Sequence, residues 1–393
     1  MNLLLKESLL TLPIEIIDII IDDLNSKDKR SLSHVCRILR QAARLNHFGV
    51  SNPIWKNIEF DNENEELPSS LNYRDGVYID GNFYIVVLSK FGPICWILDL
   101  IQKYSWKKVK VSICMDKMQY NPVKSTVGAV IKNEVYMFGG ECLITGRPTK
   151  NLYKLDLCSM SLFLVPENEK CPSPRFMHSL NVMDHYRLIL FGGRCMANNN
   201  KFYDTKDLFI YDTRKNIWIQ QIALNLPYAR SFHSVFIRGG KLYIYGGQHI
   251  TSSSPESSIH DDEDIWEYNF WKNKWHRYSS FSYFFCPEFS TIGIGPGKRC
   301  GASIFPLRRK IVVLGGTEKQ MCTMSSRNEK NSSEQQMMVI LCPVKRTWEN
   351  IQIKNMPNLD CIAIKIDRIS NCNNIFIVGK TSNEKLVAGW IIE

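Results

Sequence analysis

The sequence predicts a mainly β chain, with a small helical head followed by six copies of a four-stranded unit set around a common axis. Three observations carry that expectation. Apolar spacing is helical only to about residue 43. A strand-and-turn unit then recurs to the end, and four copies of it carry a Gly-Gly pair at the same point.

The head comes first. At 100° per residue, Glu15, Asp18, Asp22 and Asp23 share one arc, while Ile14, Ile16, Ile17, Ile20, Ile21 and Leu24 cover about half the wheel. Pro13 and Glu15 suit a first turn and Asn25 an end. A second helix is predicted from about Asp28, with Leu32, Val35, Cys36, Leu39 and Ala43 on one face and Arg37, Arg40 and Arg44 on the other. Helices this short cannot bury so many isoleucines among themselves. They either cap the rest of the chain or wait for a partner.

Leu12-Pro13, Glu15-Ile16-Ile17, Ile20-Ile21, Leu24, Leu32, Val35-Cys36-Arg37, Arg40 and the closing Trp55 resemble the F-box in order and spacing. The resemblance implies an F-box helical domain over residues 9–53. It further implies docking on a Skp-type adaptor, and through it on a cullin–RING ubiquitin ligase. The adaptor-facing residues would be Leu12, Pro13, Ile16, Ile17, Ile20, Ile21, Leu32, Val35 and Cys36. The segment after Ala43 departs from the family in length and in holding Gly49 and Pro53, so a third helix stays open.

A linker follows over residues 61–74, acidic from Asp61 to Ser70, and the repeats run over 75–393. The best copies begin Arg175-x-x-His178-Ser179 and Arg230-x-x-His233-Ser234. They continue through apolar runs ending at Gly192-Gly193 and Gly246-Gly247, then strands ending at Asp212 and Tyr268, then Trp218 and Trp275. Gly139-Gly140 and Gly315-Gly316 mark two further copies. The first copy has Ser89-Lys90 at that point, and the sixth keeps Ile375 to Gly379. A glycine pair weakens a strand unless another backbone must approach closely, and the recurring Trp would fill the wedge between neighbouring sheets. The pattern resembles the kelch repeat. It implies a six-bladed kelch β-propeller with a small N-terminal α-helical F-box domain.

The sixth copy stops after its third strand. Trp55-Lys56-Asn57-Ile58 reads like Trp106-Lys107-Lys108-Val109 and Trp348-Glu349-Asn350-Ile351, so residues 54–60 are expected to close the last blade.

Composition narrows the function classes. The chain has 393 residues and a net charge of +10, and residues 1–60 hold eight Lys/Arg against seven Asp/Glu, which leaves a modest, spread excess on the rest. No apolar run is long enough for a membrane helix, and no secretory leader is recognisable, so the expected setting is the cytosol or nucleus. The 13 cysteines are scattered, and several (Cys95, Cys114, Cys361) lie in apolar runs, which predicts reduced thiols in the core.

No catalytic motif, cofactor site or metal site stands out. His178 and His233 hold equivalent repeat positions and read as structural. His260 to Asp264 reads as a solvated acidic loop rather than a Ca²⁺ site. The expected role is therefore non-catalytic, as substrate-recognition subunit of an SCF-type (Skp-adaptor/cullin/F-box) ubiquitin ligase, with an unknown target protein and neither nucleic acid nor membrane as partner. The alternative is a kelch scaffold outside the ubiquitin system. Recognition is expected on the insertions 194–206, 248–263 and 317–336; the aromatic stretch 281–285 reads as packed loop core, any exposed part of which would make an anchor, and Ser254-Pro255 lies in a Ser-rich loop open to phosphorylation. Arg175, Arg194, Arg230 and Arg299 either grip an acidic target, as such arginines do in some kelch receptors, or tie neighbouring blades together.

Overall fold

The computed structural model describes residues 54–60, 76–101, 104–115, 119–251, 254–259, 264–278, 295–307, 310–316, 337–342, 347–357, 359–363, 375–381 and 386–392. The chain divides into two compact units, residues 1–53 with Glu393, and Ile54–Ile392. The helices expected in the first unit, and all nine adaptor-facing residues, lie outside the described residues.

Ile54–Ile392 forms a six-bladed β-propeller. From the inside outward, blade 1 is Val77–Ile79, Asn82–Ser89, Gly92–Asp99 and Trp106–Lys110. Blade 2 is Val127–Ile131, Glu134–Phe138, Leu152–Asp156 and Ser161–Val165; blade 3 is Ser179–Val182, Arg187–Met196, Phe202–Asp212 and Ile217–Gln221. Blade 4 is Ser234–Arg238, Lys241–Tyr245, Ile265–Asn269 and Lys274–Tyr278; blade 5 is Ser303–Leu307, Lys310–Leu314, Met337–Cys342 and Thr347–Gln352. Blade 6 joins Leu359–Ala363, Ile375–Thr381 and Leu386–Ile392 to Ile54–Ile58. The last pairing is antiparallel and brings Trp55 opposite Ile391. Trp55 is buried there, its ring occupying the space a side chain at Gly389 would need.

Local chemistry explains the turns between third and outer strands. The side chains of Asp99, Asp156, Asp212 and Asn269 accept the N–H of the residue two positions on, at 2.8–3.0 Å. The residue before the outer strand, or one earlier, then has positive φ, as at Tyr104, Met160, Asn216 and Asn273. Short polar side chains at the strand end thus stand in for backbone acceptors and aim the chain into its outer strand.

Those tryptophans fill the wedges. Trp218 packs on Tyr211 of its own blade, with ring centroids 4.7 Å apart, and on Phe138 of blade 2 at 5.1 Å. Trp275 repeats the arrangement on Tyr268 at 5.0 Å and Phe191 at 5.6 Å. Each wedge is one apolar cluster drawn from two adjacent blades. Burying a Trp in such a site contributes several kcal/mol, on the order of 3–5 by the cost of truncation.

Two details differ from the sequence reading. The insertions at 194–206 and 248–263 are partly regular: in blade 3 the second and third strands run on into a long hairpin, bulged between Phe191 and Gly193, and in blade 4 Gln248–Thr251 pairs with Ser254–Ile259. Ser254-Pro255 therefore begins a strand rather than lying in an irregular loop. Cys114 is exposed rather than buried, because the segment runs alongside the outer strand of blade 2 and its N–H is spent on the Leu162 carbonyl. Cys95 is buried, which pushes its thiol up to about 12, and Cys95, Cys114, Cys142, Cys158, Cys171, Cys195 and Cys342 are free thiols.

Candidate functional site

The face carrying the connections between second and third strands is organised by the repeated Arg and Gly-Gly. In three of the four pairs the second glycine donates its N–H to the carbonyl of the next repeat's arginine: Gly140 to Arg175, Gly193 to Arg230 and Gly247 to Arg299, each at 2.9 Å. Each arginine then reaches into its own blade. Nη1 of Arg175 donates to the Gly192 carbonyl at 3.0 Å, Arg230 to Gly246 at 3.0 Å, and Arg299 to Gly315 at 3.3 Å. Any Cβ on the first glycine would collide with the same arginine carbonyl: at Gly139 it would lie 2.3 Å from the Arg175 oxygen. Both glycines of each pair also have positive φ.

The four arginines singled out by sequence are thus placed as follows. Arg175 is fully buried and holds Asp207 through two bonds, of 2.6 and 2.9 Å. Arg230 is fully buried at the equivalent point. Arg299 bonds the Pro296 carbonyl at 2.6 Å as well as Gly315. Arg194 sits at a different position, just past its Gly-Gly, and is buried against Asp204 at 3.0 Å; its Nη2 also donates to Ser231 of the next repeat at 3.0 Å. Asp204 in turn accepts the N–H of Ile250 at 2.6 Å. These guanidinium groups are engaged within and between blades. A buried ion pair of this kind is costly to break from one side.

Inside this ring the inner strands enclose an axial cavity of about 500 Å³. Met177 and Phe232, both with positive φ, line its mouth, and the chain bonds around it: Phe232 N–H to the Met177 carbonyl at 2.8 Å, Gly301 N–H to the Phe232 carbonyl at 3.2 Å.

His178 and His233 also face this cavity and stand edge-on to Phe138 and Phe191, with centroids 5.6 and 5.3 Å apart. His233 Nε2 meets the Ser179 hydroxyl of the preceding blade at 3.0 Å. Blade 2 has Val127 where blade 3 has Ser179, each opposite the last residue before the Gly-Gly, and both nitrogens of His178 are buried without a hydrogen-bond partner. Burial, with Arg175 nearby, holds the His178 pKa down at about 3, so the ring is neutral.

The exposed part of the face belongs to the connections. Asn198, Asn199, Asn200 and Lys201 form the tip of the blade 3 hairpin, and Arg147 of blade 2 reaches Asn200 at 3.4 Å. Ile144 beside it is exposed. Ile144 and Arg147 escaped the sequence reading because their turn is short and carries no repeat signature. Among the described residues no cluster of three or more His, Cys, Asp or Glu is disposed to hold a metal. Residues 260–263, 281–285 and 317–336 lie outside the described residues; Asp264 is buried and paired with Arg277.

Comparison with known proteins adds to this geometry. Residues 9–51 match the F-box domain, and residues 124–379 match the KLHDC2/KLHL20/DRC7 Kelch-repeats domain. Among curated proteins, an N-(sulfonatooxy)prop-2-enimidothioate sulfolyase of Thlaspi arvense is 29% identical over 150 residues, 37% of this chain and 41% of that one. Kelch domain-containing protein 3 of Rattus norvegicus is 27% identical over 194 residues, 48% of this chain and 46% of that one. Putative adagio-like protein 2 of rice (Oryza sativa subsp. japonica) is 24% identical over 230 residues, 58% and 33%. The chain thus spans less than half the length of these relatives.

Proposed function

Because this chain belongs to the F-box/kelch-repeat family, we propose that it is the substrate-recognition subunit of an SCF-type ubiquitin ligase. In this reading the F-box binds a Skp-type adaptor and thereby a cullin, while the propeller holds the target protein. Catalysis is by proximity: the receptor raises the target's effective concentration at the ubiquitin-loaded enzyme and transfers nothing itself. The complex works in the cytosol or nucleus, without nucleic acid or membrane as partner.

The observation that carries the reading is the presence of an F-box in the same chain as a rigid ring of sheets. The blade 3 and blade 4 hairpins supply a recognition rim on that ring. Buried arginines used as ties support a non-catalytic role, since they hold the rim's geometry rather than a reacting group.

Pull-down with a Skp-type adaptor tests it, comparing wild type with Ile17→Asp/Ile20→Asp. Capture by the wild type and loss in the double variant is the expected result. Absence of capture by the wild type favours a kelch scaffold outside the ubiquitin system. A third reading, a propeller enzyme, is suggested by the name of the sulfolyase relative. Stoichiometric metal in the purified protein by elemental analysis would favour it.

A further inference from the structure

The outer flank between blades 3 and 4 differs from the rest of the ring. On the outer strands of blades 1, 5 and 6 the two positions after the Trp are exposed and polar: Lys107 and Lys108, Glu349 and Asn350, Lys56 and Asn57. In blade 3 the positions before and after Trp218 are Ile217 and Ile219, both exposed, whereas the outer strands of blades 6 and 2 each expose one large apolar residue, Ile54 and Phe163. The apolar run continues into the connection to blade 4 with Ile222 at 86% and Leu224 at 78% exposure, and Trp271 at 89% stands in the adjoining turn. These residues are neighbours. The Ile222 carbonyl accepts from Asn273 Nδ2 at 3.0 Å, and Leu224 bridges in parallel to Lys274. Trp271 lies over Gly240, which a Cβ would bring within 2.6 Å of its Nε1. Scattered exposed apolar residues are ordinary, but a contiguous group of large ones marks an interaction site.

Two further observations say what covers it. The first is an open strand edge. The outer strands of blades 2, 4 and 6 each have a parallel companion, Ser112–Ile113 for blade 2, Leu224 for blade 4 and Lys354 for blade 6. Among the described residues the outer strand of blade 3 has none. The connection from blade 2 meets only the residue before the strand, with Asn168 Nδ2 donating to the Asn216 carbonyl at 2.7 Å and Asn216 Nδ2 donating to the Pro166 carbonyl at 3.0 Å. The second observation is charge. Lys215, Lys272 and Lys274 are exposed and form no ion pair among the described residues, and neither residues 213–225 nor 270–274 include an Asp or Glu.

We propose that the outer edge of blade 3 takes up an extended acidic peptide segment of a partner protein as a fifth strand. Its apolar side chains would rest on Ile219, Ile222, Leu224 and Trp271, and its carboxylates would meet Lys215, Lys272 and Lys274. The backbone bonds supply attachment, the isoleucines exclude water, and the lysines select the partner's charge. This surface is separate from the loop face and does not depend on the ubiquitin-ligase reading.

Fluorescence anisotropy on the full chain tests it, with a labelled peptide alternating Glu with Val and Phe as probe. Its counterparts carry Lys for Glu, or N-methyl groups at alternate residues. The acidic peptide is expected to bind roughly tenfold or more tightly than either counterpart, and less tightly as salt rises. Lys215→Glu/Lys272→Glu/Lys274→Glu and Ile219→Asp/Ile222→Asp should each weaken it roughly tenfold with an unchanged melting temperature, since every substituted side chain is exposed. The proposal is overturned by equal binding of the acidic and basic peptides, or by an N-methylated peptide that binds as well. It is equally overturned by binding indifferent to the substitutions, or by no binding. Self-association abolished by the isoleucine substitutions would assign the flank to a second copy instead. Capture by phosphatidylserine vesicles without capture of the peptide would assign it to a membrane surface.

Discussion

The amide of Gly140 in blade 2 donates to the carbonyl of Arg175, 2.9 Å away, at the entrance to blade 3. The guanidinium of the same arginine reaches Gly192 of blade 3 and clasps Asp207. One residue therefore fastens two neighbouring sheets by its main chain and orders the hairpin of its own sheet by its side chain. The motif recurs with Arg230 and Arg299, which makes it a joint of the ring rather than a local accident.

Removing the guanidinium alone should be severe. Arg175→Met leaves Asp207 and the Gly192 carbonyl without their donor, and a loss of about 3–5 kcal/mol is expected from urea unfolding of the propeller. Arg175→Met/Asp207→Leu should recover part of that loss, because the stranded carboxylate goes too. Additive losses in the double variant would show that the pair is not coupled.

The glycine pair offers a controlled comparison. Gly192 and Gly146 both have positive φ, but a Cβ at Gly192 would meet the Arg230 oxygen at 2.6 Å whereas one at Gly146 meets nothing within 4 Å. Gly146→Ala should cost only the left-handed backbone penalty, about 1–2 kcal/mol. Gly192→Ala should cost clearly more, because the next blade's backbone has to move. Equal melting temperatures for the two variants would refute the inter-blade role.

His178 predicts a dependence on pH. In the unfolded chain an imidazole titrates near 6.5, while in the ring His178 titrates at about 3, so the unfolded state binds the proton more readily. The contribution to stability is complete above about pH 6.5 and declines as pH falls from there toward 3, by up to about 1.4 kcal/mol per pH unit. His178→Phe keeps an aromatic edge against Phe138 and removes two unpartnered nitrogens. It should hold or raise stability at pH 7 and flatten the decline between pH 6 and 4. An unchanged slope in urea midpoints would remove His178 from the account.

Trp55 offers the fourth test. Its N–H bonds the Lys354 carbonyl at 2.9 Å and its ring lies against Gly389, so it joins blades 5 and 6. Trp55→Ala should lower propeller stability by about 3–5 kcal/mol. A melting temperature unchanged from wild type would mean that the blade does not rely on it.

The repeats were legible because the copies share recognisable chemistry: a strand-end Asp, a wedge Trp and, in four of them, a Gly-Gly whose lack of Cβ only a close backbone approach could explain. Trp55 was legible for the same reason, since its neighbours echo Trp106 and Trp348. What escaped lies between repeats. The bonding of Arg194 to Asp204 and Ser231 depends on how far the blade 3 hairpin extends, and no periodicity encodes that length. The solitary state of His178 required knowing that Val127 and Ser179 are equivalent across blades whose loops differ. The apolar flank was hidden too, because an exposed Ile219 and a buried Ile210 look alike in an alternating strand until the sheet order is known.

The strand Ile54–Ile58 is synthesised some 330 residues before its partner Leu386–Ile392. At the usual ribosomal pace of about 5–20 residues per second, it waits unpaired for tens of seconds while the five intervening blades emerge. A sticky edge is thus left open during the most vulnerable interval of the chain's life, and slowing translation late in the message would prolong that exposure. Errors at the seam, where one molecule's early strand is claimed by another molecule's late one, are the aggregation route this architecture invites.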